Sequence, residues 1–332
     1  MSTLLELAQD RIDDFAARAK ALRDCLQQVI IGQDETLDLL LTCALTGSHA
    51  LLMGVPGLAK TLMVKALASA FDWQFSRIQF TPDLMPSDIT GFELLGGGGH
   101  NGEQAMVFRR GPIFANLVLA DEINRAAPKT QSALLEAMAE RHVTVGGQTY
   151  SLDAPFLVVA TQNPIEQEGT YPLPEAQLDR FMMEIRISYP THLEEEEIVE
   201  RTTSTPMTLP RAVFDRASFL SLCELVWSVP VAKFVIAYAV HLCSASRPDD
   251  PRAHPFAKSY VAWGAGPRGS QNLILAAKAH ALLAGRAAPT PEDVRAVALP
   301  VLRHRILINH RAIGDAIASD DVIDRLLRDT ST

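Results

Sequence analysis

An apolar run of strand length, His49–Met53, leads directly into Gly54-Val55-Pro56-Gly57-Leu58-Ala59-Lys60-Thr61 and then into an apolar segment of helix length, Leu62–Phe71. No other part of the chain constrains its fold as tightly. Strand, glycine-bearing turn and helix, in that order, gather backbone N–H groups at the head of a helix, where they attract phosphate. Lys60 closes the motif because an ammonium can bridge β- and γ-phosphates, and Thr61 because a hydroxyl can ligate Mg²⁺. One position departs from the Gly-x-x-x-x-Gly-Lys-Ser/Thr pattern: Ala59 stands at the second glycine. An alanine at the start of a helix can present its N–H from an ordinary right-handed conformation, so phosphate binding is expected to survive. The alternative is a Gly/Pro turn that merely precedes a lysine; the strand before it and the helix after it argue against that.

Further apolar runs, Phe75–Phe80, Leu117–Ala120, Phe156–Thr161 and Met182–Ile187, alternate with helical segments up to about residue 190. That pattern predicts an α/β fold, a parallel sheet flanked by helices, with ligands outside the carboxyl ends of the strands. About 60 residues after the phosphate loop, Leu117-Val118-Leu119-Ala120 ends in Asp121-Glu122. An apolar run followed by two acids often does no more than start a helix, but paired with a phosphate loop it gains chemistry. Asp121 would hold the Mg²⁺ shell and Glu122 would take the proton of an attacking water. The run ending at Thr161 continues into Gln162-Asn163-Pro164, so Asn163 could orient that water, or simply form an Asn-Pro turn. Arg180, before the last strand, and Arg268, at a helix start, are candidates for stabilising dispersed phosphate charge. For any single arginine the plain alternative is a solvated surface charge, and the sequence does not say whether either acts on its own nucleotide or on a neighbour's.

Leu4, Leu7, Ile12, Phe15, Ala19, Leu22, Leu26 and Val29 fall at three- and four-residue steps, which predicts an amphipathic helix or helix pair over 4–29. At Tyr189-Pro190-Thr191 the strand pattern stops, placing a boundary between a nucleotide-binding unit, residues 1–190, and an all-helical lid, residues 191–332. Helices are expected near 194–203, 212–228, 231–246, 270–285, 291–304 and 319–328. The best candidate for a membrane span, Val226–Val240, carries Ser228, Pro230 and Lys233, and the N-terminus lacks the pattern of a secretion signal, so a cytoplasmic location and no membrane insertion are expected. Cys25, Cys43, Cys223 and Cys243 show no zinc or redox spacing and read as buried thiols.

Together these segments resemble the AAA+ ATPases, and within them the MoxR type. The likeness rests on Gln27–Gln33, Gly54–Thr61, Asp121–Arg125, Ala160–Pro164, Leu173–Phe181 and Gly266-Pro267-Arg268, and spans about 20 to 310. The Ala-Lys-Thr ending is similar to the MoxR form of the loop. The resemblance implies that Ile31 and Gly32 line the adenine pocket, with Gly54, Pro56, Gly57, Leu58, Ala59, Lys60, Thr61 and Leu62 forming the rest of the ATP site. Thr61 and Asp121 would serve Mg²⁺. Asn163 would be the first sensor, Arg180 a finger acting on the adjacent subunit's ATP, and Arg268 the second sensor. A finger acting in trans implies a ring, usually hexameric. Two insertions like those of the same clade are expected, a helix-2 insert near Asp88–Gly111 and a β-hairpin near His142–Leu152, with Gly96–Gly99 as a flexible loop tip and Gly146-Gly147 as a hairpin turn.

The function this implies is ATP hydrolysis coupled to remodelling or maturation of a client protein, including metal-cofactor insertion, with a von Willebrand A domain partner. An ATP-gated binding switch with little turnover keeps every motif. A nucleic-acid motor fits less well, since the net charge is −9 and the insertions offer Arg109, Arg110, Arg141 and His142 but no aromatic series for stacking. The charge is uneven: residues 1–190 hold 14 basic and 23 acidic side chains, and 201–313 hold 14 basic and 6 acidic. An acidic core beneath a basic lid would suit charge-assisted closure over ATP and assembly of each core against a neighbouring lid.

Overall fold

A computed structural model describes residues 2–95, 106–166, 169–204 and 208–330, with side chains from residue 10 onward. Helix α1 (Ser2–Gln27) buries Ile12, Phe15, Ala19, Leu22 and Leu26, the stripe its periodicity predicts; the side chains of Leu4 and Leu7 lie outside the described residues. Helix α2 (Asp34–Leu45) leads into β1 (Ala50–Met53), and the phosphate loop joins β1 to α3 (Lys60–Ala70). Then come β2 (Phe75–Gln79), α4 (Pro86–Thr90), β3 (Gly91–Leu95), β4 (Met106–Arg110) and β5 (Leu117–Asp121). A 3₁₀ turn over Ile123–Arg125 precedes α5 (Pro128–Glu140), β6 (His142–Val145), β7 (Gln148–Ser151), β8 (Leu157–Gln162), α6 (Glu175–Leu178) and β9 (Met183–Arg186).

The five expected long strands form one parallel sheet in the order β2-β5-β8-β1-β9. Their composition explains the order. Every residue of β5 is buried, as are five of the six in β8, so continuous apolar runs occupy the interior of the sheet. Strand β2 lies at an edge with only Ile78 buried, which leaves Arg77 and Gln79, two residues apart, on one face. With β1 between β8 and β9, the phosphate loop rises at the carboxyl edge beside the end of β8, where the Gly54 N–H donates to the Gln162 carbonyl (3.3 Å).

Each expected insertion contains a pair of antiparallel strands. Strands β3 and β4 pair antiparallel, as do β6 and β7 across Gly146-Gly147. Both of those glycines have positive φ (58° and 81°), the geometry that a two-residue turn between twisted strands requires. The hairpins touch: Phe108 stacks on Tyr150 with ring centroids 4.1 Å apart, and a Cβ at Gly146 would fall 2.2 Å from the Glu93 carboxylate. Gly96–Gly99 lies outside the described residues.

The second half contains α7 (His192–Ser204), α8 (Arg216–Ser228), α9 (Lys233–Ala245), α10 (Pro255–Tyr260), β10 (Val261–Trp263), α11 (Pro267–Leu283), α12 (Pro291–Leu302), β11 (Leu307–Ile308), α13 (His310–Gly314) and α14 (Ser319–Asp329). The all-helical expectation needs one correction: β10 and β11 pair antiparallel across a separation of more than 40 residues, too short and too distant for periodicity to reveal. The pattern also missed the short helices α10 and α13. Helix α8 starts at Arg216 rather than 212 because Asp215 caps it, its carboxylate accepting from the Ser218 N–H (2.7 Å). Among the described residues no single helix is long and apolar enough to cross a membrane, and Val226–Val240 divides between α8 and α9, which meet at 88°. One apolar cluster unites α1, α2, α3 and one face of the sheet with α8, α9, α11, α12 and α14; a second fills the opposite face beneath α5.

Candidate active site

The loop after β1 turns on two left-handed residues. Gly57 has φ 90°, and Ala59 has φ 54° and ψ 21°. The second value corrects the expectation for Ala59: it caps α3 in the left-handed conformation that glycine takes without strain, at a steric cost of about 1–2 kcal/mol for an L-residue. Its carbonyl accepts the first helical bond, from the Met63 N–H (2.9 Å). Lys60 folds back so that Nζ donates to the Gly54 carbonyl (2.5 Å). Burial pulls its pKa below the ordinary lysine value, while the charges of Asp121, Glu122 and Glu166 pull it up. Thr61 and Leu62 follow in the first turn of α3.

Beside this loop opens a cavity of about 330 Å³, lined by Ile31, Gly57, Leu58, Ala59, Leu62, Pro190, Ile198, Arg201 and Thr202, among others. It is largely apolar with a few polar groups, the usual make-up of a small-molecule pocket. Gly32 borders the adjoining cavity with Gln33 and Arg303. It has φ 69°, and a Cβ there would meet the Glu194 carboxylate at 2.4 Å, so what it supplies here is a turn and a close approach. Gly54 is buried, while Pro56 is exposed on the loop's outer side.

Asp121 ends β5 and Glu122 follows it, both near enough for their charges to act on Lys60. Thr161, at the end of neighbouring β8, ties them together: its hydroxyl donates to Asp121 Oδ1 (2.6 Å) and accepts from the Glu122 N–H (2.8 Å). Glu122 itself is left-handed (φ 56°), which turns the chain sharply between the two carboxylates. Strand β2 supplies two further partners. Arg77 donates to Asp121 Oδ2 through Nε (3.0 Å) and Nη2 (2.5 Å), and Gln79 donates to Glu122 Oε2 (2.8 Å). Arg125 reaches the same Glu122 oxygen (2.9 Å). Asn163 is buried just beyond β8, and its Oδ1 accepts from the Ile165 N–H (3.2 Å), so the turn reading holds alongside any role toward water.

The two candidate arginines lie elsewhere. Arg180 donates to the Leu135 carbonyl of α5 and lines a cavity with Glu136, Glu140 and His142. Arg268 pairs with Asp179 (3.1 Å), as does buried Arg305 (2.8 Å). Asp179 and Arg180 stand near the amino-terminal edge of the sheet, where the Met182 N–H donates to the His49 carbonyl (2.8 Å). Neither Arg180 nor Arg268 contacts Lys60, Asp121 or Glu122 among the described contacts.

A phosphate loop after the first strand of a parallel sheet, paired carboxylates on β5 and a helical lid define a nucleotide-binding protein of the AAA+ class. Comparison with known proteins agrees. Residues 49–183 match the model of the ATPase family associated with various cellular activities (AAA), and residues 255–326 match the AAA lid domain. Chaperone MoxR1 of Mycobacterium tuberculosis is 45% identical over 91% of this chain and 79% of its own length. The uncharacterized protein YeaC of Bacillus subtilis is 42% identical over 91% of each. A crystal structure from Cytophaga hutchinsonii superposes with a TM-score of 0.90 at 40% identity, covering 98% of both chains. The chain belongs to the MoxR-type AAA+ ATPase family.

The motifs did not announce Arg77, Gln79, Thr161, Glu166, Arg201 or Arg305. A signal existed for the first two: polar, apolar, polar at Arg77-Ile78-Gln79 marks a strand with one face open to the site. Arg305 offered none, since its partner Asp179 is 126 residues away.

Proposed function

We propose that this protein binds and hydrolyses ATP with Mg²⁺ and uses the cycle to remodel or mature a client protein complex, as a ring of identical subunits. The observation that carries the reading is the convergence of the Lys60 loop, the Asp121 and Glu122 carboxylates, Asn163 and an apolar cavity at one edge of the sheet. The oxygen donors here suit a hard divalent cation, with Thr61 and Asp121 as its side-chain partners. When bound, that cation would neutralise charge on the β- and γ-phosphates. The cavity takes the base, and backbone N–H groups from Gly54 to Leu62 cradle the phosphates. Lys60 balances their charge. Glu122 accepts the proton of the attacking water, which Asn163 helps to orient.

Arg180 and Arg268 act on a neighbour's nucleotide, a reading supported by their bonds at the far edge from their own Lys60. The acidic 1–190 unit and basic 201–313 segment favour such head-to-tail contact, with six subunits as in related rings. A chaperone-like role follows from the similarity to chaperone MoxR1; cofactor insertion, a von Willebrand A domain partner and a cytoplasmic location belong to the same proposal. An ATP-gated switch with little turnover is the second reading, favoured by the basic and amide groups that hold both carboxylates. Single-turnover hydrolysis with and without the partner separates the two, since a switch shows no stimulation. Multi-angle light scattering tests the ring: a monomer that persists with ATP overturns it.

A further inference from the structure

Strand β2 holds both acidic residues of the site. Asp121 has each of its oxygens engaged, Oδ1 by Thr161 and Oδ2 by two nitrogens of Arg77. Arg77 also donates through Nη2 to Gln79 Oε1 (2.7 Å), and Gln79 passes the contact on to Glu122. A guanidinium and a divalent cation are both drawn to the same carboxylate, and a carboxylate oxygen that already accepts two charge-assisted hydrogen bonds offers a metal less.

We infer that Arg77 is a positioning residue that competes with the divalent cation for Asp121 and so sets how much Mg²⁺ the nucleotide site needs. The inference rests on the reading of Asp121 as the metal-side carboxylate. Its geometry carries the case: Asp121 is almost wholly buried and Arg77 approaches it from the open edge of the sheet, about half exposed, so the arginine can swing into solvent when a cation arrives. Arg77 and Gln79 also belong to the strand that leads through residues 80–85 into α4 and the β3–β4 hairpin. A shift of β2 transmitted from that hairpin would change the hold on both carboxylates together, coupling metal demand to whatever the hairpin touches.

The test is a Mn²⁺ titration by electron paramagnetic resonance on the full chain with saturating ADP. Arg77→Met is expected to bind Mn²⁺ about fivefold more tightly than the parent, a modest factor because the exposed guanidinium is partly screened. The Mg²⁺ concentration for half-maximal ATP turnover should fall by a similar factor. Arg77→Lys keeps the charge without the two-nitrogen fork, should fall between the two, and carries the test if Arg77→Met does not fold. Unchanged or weaker Mn²⁺ binding in a folded Arg77 variant overturns the inference, since that is what a merely structural support for Asp121 would give. Asp121→Asn separates the two layers: if it binds Mn²⁺ like the parent, the metal-side reading of Asp121 fails; if it loses Mn²⁺ while Arg77→Met is unchanged, only the competition fails.

Discussion

The two edges of the central sheet are built differently. At the carboxyl edge, eight consecutive residues from Gly54 to Thr61 form the loop proposed to cradle phosphate, and the neighbouring strand ends add Asp121 and Asn163. At the amino-terminal edge, Asp179 gathers Arg305 from 126 residues away and Arg268 from 89, while Arg180 leans on α5, 45 residues back. The first edge is a local device that the fold only has to present. The second exists only once the two halves have packed, so what it does is inseparable from tertiary and, in the proposed ring, quaternary structure.

The sharpest way to break this contrast is a mixing experiment. Arg180→Ala should lower turnover by about 10³-fold or more, as loss of an arginine finger does. Adding Lys60→Ala subunits, which cannot use ATP themselves but still carry Arg180, should restore activity; no rescue in a mixed assembly means that Arg180 does not act across subunits. Next in size, Glu122→Gln should retain ATP in a fluorescence titration yet lose about 10²–10⁴ in turnover, and normal turnover would remove Glu122 from the role of base.

Stability distinguishes the two arginines that share Asp179. Arg305, nearly sealed among the Asp179 carboxylate and the carbonyls of Phe181 and Met182, should destabilise the fold by about 3–5 kcal/mol in urea when changed to Ala. Arg268, more than half exposed, should change stability by under about 1 kcal/mol in the same assay. Equal losses would show that Arg268 is as structural as Arg305.

A smaller effect concerns acid. His49 is buried with Nδ1 accepting from the Val158 N–H (3.0 Å) and Nε2 facing the Met138 carbonyl (3.2 Å), an arrangement that fits only the neutral ring. Burial, then the charge of Arg141, lowers its pKa from 6.5 to about 3; burial also holds His304 well below 6.5. Both rings are neutral in the folded and unfolded chain above pH 6.5, so their full contribution is present there. As the pH falls below 6.5, the unfolded chain gains the proton before the folded one, and each histidine should remove up to about 1.4 kcal/mol of stability per pH unit. Urea midpoints from pH 7.5 to 5 measure this, and a flat profile contradicts it. Ala59→Gly should give a comparably small effect of opposite sign, a gain of up to about 1 kcal/mol from relieving the left-handed alanine, read as a slightly higher melting temperature.

The same contrast explains what the sequence could reveal. The five long strands and the order of loop, carboxylates and Asn163 were legible because each depends on contiguous residues with a strong local pattern. The left-handed turn at Ala59 was not, because alanine is usually right-handed and only the surrounding loop imposes the exception. Nor were Thr161 linking Asp121 to Glu122, or Arg77 and Gln79 holding them, since those contacts cross between strands about 40 residues apart. The β10–β11 pair is two or three residues per strand, below any periodic signal.

The stacking of Phe108 on Tyr150 has a mechanical meaning. Two strand pairs joined at a shared aromatic contact, with Glu93 seated over the turn of the second, would be expected to move together rather than separately. Force applied to the β3–β4 ribbon is then delivered through β6–β7 to the carboxyl end of α5, the helix whose Leu135 carbonyl holds Arg180. A displacement of the β3–β4 ribbon would thus be passed toward Arg180, the arginine proposed to act on a neighbour, while β2 provides a parallel path to the subunit's own carboxylates.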